Sequence, residues 1–177
     1  MKREIITSKD NPKVKEALTY KDGKGEYFLS EGFHLAKMAV DASNAVAIFS
    51  LKEYDCPSIN YVVNENIIKK LSSVLNPEGI ITVSKKNEPK PVTSHRVLYL
   101  DEVSDPGNVG TLLRTALAFG FKDVILRKGA NPYKPKVVSS SQGAIYNLNI
   151  IENDDESLLS SLKKDGYIII GTDLKSS

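Results

Sequence analysis

Short apolar runs alternate with stretches of helical period along most of this chain, and that alternation constrains the fold more than any other feature. Tyr27-Phe28-Leu29, Val46-Ala47-Ile48-Phe49, Tyr61-Val62-Val63, Ile80-Ile81-Thr82-Val83, Val97-Leu98-Tyr99-Leu100, Val124-Ile125-Leu126, Leu148-Asn149-Ile150-Ile151 and Tyr167-Ile168-Ile169-Ile170 read as strands. Asn11 and Pro12 start a helix that reaches about residue 21, and a second helix carries Leu35, Met38 and Ala39. Asn64 caps a third with Ile67, Ile68, Leu71 and Leu75. Further helices are predicted over about Val109–Phe119 and Lys136–Ser141, and another opened by Asp154 and Asp155, where acids suit the positive end of the helix dipole. Strands and helices in turn, over short connections, predict an α/β fold with a parallel sheet.

The polar stretch Lys86-Asn87-Glu88-Pro89-Lys90-Pro91 interrupts the pattern, because two prolines one residue apart make a poor helix and a poor central strand. The expected organisation is a small N-terminal α/β domain over 1–88, a linker over 89–95 and a parallel-sheet domain over 96–177.

Several function classes are set aside by composition. The single cysteine, Cys56, permits no intrachain disulfide and reads as a small buried apolar residue. With His34 and His95 far apart in sequence, no metal site is predicted. No apolar run approaches a membrane span, and no apolar stretch follows Met1-Lys2-Arg3-Glu4 to make a secretory signal. A reducing cytoplasm is the expected compartment. The formal net charge is only +2, so a polyanion must be met by a local patch. Residues 1–25 carry seven basic side chains against four acidic ones, a local balance of +3; the same charges also suit an ordinary solvated helix face.

The densest chemical signal runs from Leu100 to Ala116, with Ser104-Asp105-Pro106-Gly107-Asn108 as a loop between strand and helix. Such a turn exposes backbone N–H groups and the positive end of a helix, which can hold an anion. Asn108 bridges donors and acceptors, and Arg114, six residues on, can fork onto a phosphate. The bland alternative is a capped helix with a surface arginine. The Walker pattern fails because the loop has no lysine, and the dinucleotide pattern fails because Gly107 and Gly110 are its only glycines.

Asp105-Pro106-Gly107-Asn108-Val109-Gly110-Thr111-Leu112-Leu113-Arg114-Thr115-Ala116 closely resembles the first motif of the SpoU (TrmH-type) RNA 2′-O-ribose methyltransferases of the SPOUT superfamily. Pro135-Lys136-Val137-Val138-Ser139-Ser140-Ser141-Gln142-Gly143-Ala144 resembles their second motif, at matching separation. The N-terminal part is more loosely similar to their RNA substrate-binding domain, above all over Lys24–Gly32. The resemblance implies methyl transfer from S-adenosylmethionine to a ribose 2′-hydroxyl, on ribosomal RNA in preference to transfer RNA, by a homodimer. It implies catalytic roles for Asn108 and Arg114 and substrate-binding roles for Ser141 and Gly143. Lys13 and Lys24 are the substrate-binding candidates of the N-terminal basic region. The family holds its cofactor with a third motif, threaded into a trefoil knot, that follows a strand ending in Thr-Asp-Leu.

Thr172-Asp173-Leu174 fits that strand end, and the sequence stops three residues later. No cofactor-binding residue is assigned, and the expectation is an incomplete SPOUT-type domain that is inactive as these 177 residues. The competing expectation is a non-catalytic RNA-binding module, whose affinity would fall steeply with salt. A nucleotide-phosphate binder is disfavoured by the missing lysine and third glycine.

Overall fold

A computed structural model describes residues 2–172. Two sheets carry the chain. The first is five-stranded, built from β1 (Arg3–Ile6), β2 (Tyr27–Glu31), β3 (Ala45–Ser50), β4 (Ile59–Val63) and β5 (Ile80–Lys85) in the order β1-β4-β3-β5-β2. Strands β1, β4 and β3 run parallel, while β5 runs antiparallel to both β3 and β2. Helices α1 (Pro12–Thr19) and α3 (Glu65–Leu71) share a core with one face of this sheet, and α2 (Phe33–Asp41) packs on the other. The second sheet is wholly parallel: β6 (Val97–Asp101), β7 (Asp123–Arg127) and β8 (Asn149–Glu152), in that order. Helices α4 (Pro106–Ala118), α5 (Pro135–Ser141) and α6 (Ser157–Lys164) complete it. The architecture is the α/β one expected, with a mixed first sheet.

Local chemistry sets the helix starts. The Asn11 side chain accepts from the Lys13 N–H at 2.8 Å, and that of Asn64 accepts from Ile67 at 3.1 Å. The Asp105 carboxylate accepts from the Asn108 N–H at 2.7 Å, with Pro106 at the first helical position. That cap starts α4 three residues earlier than the expected Val109, so Asn108 sits in the first helical turn and not in the preceding loop. Three other expectations are corrected. Leu75 lies beyond the end of α3 and is exposed, because Ser72 leaves the helix in an extended conformation. Helix α6 opens at Ser157, since the Asp155 carboxylate takes the Ser157 N–H in a local turn at 2.8 Å. Tyr167–Ile170 forms no strand: Ile168, Ile169 and Ile170 are exposed, while Tyr167 is tied down by its N–H on the Leu162 carbonyl at 3.0 Å and its hydroxyl on the Ser94 carbonyl at 2.6 Å. Apolar residues of high strand propensity still need a partner edge. Asp173 and Leu174, also expected in this region, lie outside the described residues.

The two sheets share one apolar core. Phe28, Leu35 and Ala39 from the first half pack with Val109, Leu113, Val137, Val138 and Tyr146 from the second. At its centre the buried Tyr146 hydroxyl meets Ser30 Oγ at 2.9 Å and Ser84 Oγ at 3.1 Å. Removing it strands two buried hydroxyls, so Tyr146→Phe is expected to cost about 1–3 kcal/mol in chemical denaturation. An unchanged midpoint would show that water replaces the lost partner.

The connection between the sheets is pinned by Asp123, which is 2% exposed. Its carboxylate accepts from the Thr93 and Ser94 N–H groups (3.2 and 3.0 Å), the Ser94 hydroxyl and Asn149 Nδ2 (2.6 Å). Burial alone would raise its pKa, but the Ser94 and Asn149 hydrogen bonds outweigh that and hold it below the ordinary 3.8. A depressed carboxylate stabilises the fold fully above its unfolded value, and the contribution fades as pH falls through the folded one. Acid unfolding of Asp123→Asn should therefore be shallower below about pH 4 than that of the wild type. Parallel acid-unfolding curves would remove Asp123 from the account.

Candidate RNA-modifying site

Helix α4 begins outside the carboxyl end of β6, where open α/β sheets bind ligands. Its inward face is Val109, Gly110, Leu113 and Ala116, all buried. At about 100° per residue, Asn108 and Arg114 fall roughly 120° apart on the opposite face and about 9 Å along the axis. Between them lie Gly107, Thr111, Thr115 and Ala118, small residues that leave the surface low. Asn108 and Arg114 are both exposed, and among the described residues neither side chain has a hydrogen-bond or ion-pair partner. The expected catalytic pair is thus free to meet a ligand.

Helix α5 places the second motif against the first. The helices cross so closely that a Cβ on Gly110 would come within 2.4 Å of Ser140 Cβ and 2.6 Å of the Val137 carbonyl oxygen. Lys136 reaches across to within 3.9 Å of the corresponding position at Gly107. Ser141 is fully buried and donates to the Val138 carbonyl at 2.8 Å. Gly143 holds φ +86 with Met38 of α2 against it, so the turn after α5 presses on the first half of the molecule. Both residues are placed as packing and turn-forming groups.

The N-terminal lysines occupy two places. Lys24 is exposed and paired with Asp22 at 3.5 Å, on a loop whose Gly23 packs against Tyr133, two residues before the second motif. The neighbouring Gly23 carbonyl accepts from Lys86 Nζ (2.9 Å) and from Asn131 Nδ2 (3.3 Å). Lys86 Nζ also sits over the Tyr133 ring, 4.1 Å from its centre, and burial lowers its pKa. Lys13 lies on α1, paired with Glu16 at 3.5 Å, and joins neither motif.

Charge at the carboxyl end of β6 is largely compensated. Arg127 donates to Asp101 at 2.5 Å and to Glu102 at 3.1 Å, and Lys128 lies 3.8 Å from Glu102. Arg114, Lys134 and Lys136 remain as cations without acidic partners among the described residues. Sequence reasoning had not singled out Lys134 and Lys136; their signal was the lysine on each side of Pro135. The loops after β6 and β7 are tied by the Ala130 N–H to the Val103 carbonyl at 3.0 Å. That contact holds the two loops together at the carboxyl ends of β6 and β7. Among the described residues no cluster of His, Cys, Asp or Glu suits a metal ion, and no helix is long and apolar enough to cross a membrane.

The arrangement of both halves recurs in known proteins. A solved AdoMet-bound rRNA methyltransferase from Sinorhizobium meliloti superposes with a TM-score of 0.77 at 23% identity, covering 91% of this chain and 69% of that one; at that identity the likeness establishes the fold. The mitochondrial rRNA methyltransferase 3 of Homo sapiens is 31% identical over 137 residues, 72% of this chain and 30% of the human protein. The 23S rRNA (guanosine(2553)-2′-O)-methyltransferase RlmP of Bacillus subtilis is 32% identical over 183 residues, spanning 97% of this chain and 74% of the relative. The model of the SpoU rRNA Methylase family matches residues 95–177, which hold both motifs. With the motifs packed together on α4 and α5 and a relative that runs the length of the chain, this protein belongs to the SpoU rRNA methylase family.

Proposed function

We propose that this protein methylates a ribose 2′-hydroxyl of ribosomal RNA, with S-adenosylmethionine as the methyl donor. The observation that carries the proposal is the pairing of Asn108 and Arg114, unpartnered, at the rims of the low exposed face of α4. S-adenosylmethionine supplies an electrophilic methyl group when bound. Its binding groups are expected from the family's third motif, outside the described residues.

The chain's own residues handle the acceptor. A guanidinium stays protonated at any working pH, so Arg114 serves as a clamp and not as a base. Forked onto the phosphate beside the target ribose, it orients the 2′-oxygen and stabilises the negative charge that develops there as the hydroxyl proton passes to solvent and the methyl carrier leaves as a neutral thioether. Asn108 accepts from or donates to the ribose hydroxyls. Lys134, Lys136 and Lys24 hold neighbouring phosphates, which makes RNA affinity fall with salt. Ser141 and Gly143 act by fixing the turn after α5. Ribosomal RNA is favoured over transfer RNA because the Bacillus and human relatives are named for it. A homodimer is the expected assembly. The single cysteine fits a reducing cytoplasm.

The experiment is incubation of the full-length protein with methyl-labelled S-adenosylmethionine and a 23S rRNA transcript, beside a DNA copy that lacks 2′-hydroxyls. Label in the RNA alone supports the proposal. Salt-sensitive RNA binding without any label transfer would support the non-catalytic RNA-binding module.

A further inference from the structure

Helix α4 runs back from the carboxyl end of β6 and delivers the turn Phe119–Lys122 to the amino end of β7. Phe119, which caps the helix, is 70% exposed. Beside it stands Arg96, exposed just before β6: its guanidinium lies over the Phe121 ring, 5.3 Å from the centre, with Nη2 3.6 Å from the Cβ position of Gly120. Lys122 is exposed on the same turn, and among the described residues neither cation pairs with an acid. The turn that closes α6 faces this end too, because the Tyr167 hydroxyl donates to the Ser94 carbonyl at 2.6 Å; it brings Lys163 and Lys164 with it. The acids here are Asp165 and Asp123, the latter buried and bonded to Thr93, Ser94 and Asn149. Four cations against two acids leave +2 at the amino end of the second sheet, with Lys90 and Glu88 of the adjoining linker cancelling. This surface is continuous with the site already described. Arg114 and Phe119 stand about 7–8 Å apart along the helix axis and about 140° apart around it, and the exposed Thr115 and Ala118 lie between them.

We infer that the RNA runs on from Arg114 along the exposed face of α4 to this end of the sheet, where an unpaired base stacks on Phe119 and the backbone lies on Arg96 and Lys122; the inference rests on the RNA-methylating reading given above. An exposed aromatic ring offers a base a stacking face, and unpaired cations beside it hold the attached phosphates. A free guanidinium and a free ammonium flank the ring, so a polyanion complements the surface. An apolar protein partner would instead bury Arg96 and Lys122 without counter-charges, at a cost. A second copy related by a two-fold axis through Phe119 would set the same cations against one another.

The test uses the full-length protein and a fluorescein-labelled oligouridine RNA of roughly eight nucleotides, within the usual span of a single-strand site. Phe119→Leu removes the ring and keeps an apolar side chain; it is expected to weaken binding about ten-fold, the scale of one lost base–aromatic stack. Phe119→Tyr keeps a ring and is expected to bind as the wild type does. Because Phe119 is exposed, both variants should melt with the wild type. Lys122→Gln is expected to lower the slope of log affinity against log salt by about one. In parallel, the same RNA carrying 5-iodouridine is expected to crosslink to Phe119 in the unaltered protein, a readout that does not depend on variant folding. Affinity unchanged in Phe119→Leu, with crosslinks elsewhere, overturns the inference, as does a wild-type protein that fails to bind this RNA. Equal losses in Phe119→Leu and Phe119→Tyr mean that the RNA does not use the ring face, and overturn it too. Label transfer to 23S rRNA by the same preparation then leaves the methyltransferase reading standing, whereas Phe119-dependent binding without label transfer does the reverse. A dimer that Phe119→Leu splits in sedimentation, with RNA affinity intact, assigns the surface to a second copy and also overturns the inference.

Discussion

Arg114→Ala removes at least about 100-fold of the rate of methyl transfer, the usual loss when one preorganised donor to developing charge is deleted. The substitution leaves the fold alone. Arg114 is exposed and makes no hydrogen bond or ion pair among the described residues, so unfolding should shift by no more than about 0.5 kcal/mol. Arg114→Lys keeps the charge but loses the planar fork, and is expected to recover only part of the rate. The division between kinetic parameters is informative. A clamp acting on the transition state lowers kcat, whereas a residue that merely holds RNA raises KM at unchanged kcat. Single-turnover kinetics with saturating RNA make the distinction. Full activity in Arg114→Ala would remove this residue from the reaction.

Gly110→Ala, by contrast, is a stability change with functional consequences. The added methyl group has no space, because it falls 2.4 Å from Ser140 Cβ and 2.6 Å from a backbone oxygen of α5. Neither neighbour is the far end of a flexible side chain. Helices α4 and α5 must therefore separate, and overpacking of this kind costs about 3 kcal/mol. For a chain of this size that corresponds to a fall in Tm of roughly 6–12 °C. Activity at low temperature should also drop, since the same displacement moves Asn108 away from Lys136. A control at Gly171, which has no positive φ and whose Cβ position meets nothing within 4 Å, separates the packing effect from the general effect of replacing glycine by alanine. Scanning calorimetry of the two variants decides the matter; a Gly110→Ala protein that melts with the wild type would mean the helix crossing is looser than described.

These two residues show what a sequence can and cannot disclose. Arg114 and Asn108 were legible because a motif places them six residues apart after a strand, and helical geometry then fixes their relative directions. The need for glycine at 110 was invisible, because it arises from Ser140 and Val137, thirty and twenty-seven residues away. Strand β1 was missed for a related reason. Arg3 and Glu4 hide its pattern, and what makes it a strand is pairing with Asn60 and Tyr61. Periodicity also carries no sign for direction, so the antiparallel β5 in an otherwise parallel neighbourhood was not foreseeable. Ile168–Ile170 erred the other way, since propensity was present and a partner edge was not. The shared core around Phe28 and Tyr146 likewise joins residues more than a hundred positions apart.

The burial of Ser141 marks a second boundary. A serine in a motif suggests contact with substrate, yet its hydroxyl is satisfied on the Val138 carbonyl inside the turn. The turn that Ser141 and Gly143 shape instead joins the halves: His34 Nε2 lies 3.3 Å from the Gln142 carbonyl, and Met38 packs on Gly143. Lys24 lies on a separate contact, the loop whose Gly23 packs on Tyr133 and accepts from Asn131. The geometry ties the first half to the helix pair α4 and α5, of which α4 carries Asn108 and Arg114.

The proposed reaction is transfer of the methyl group to a ribose 2′-oxygen that Arg114 orients. The most direct measurement is mass spectrometry of the nucleosides released from 23S rRNA transcript after incubation with the full-length protein and S-adenosylmethionine. The account predicts one 2′-O-methylnucleoside with wild-type protein and a trace or none with Arg114→Ala. A methyl group on a base, or a 2′-O-methylnucleoside formed equally well without Arg114, would contradict it.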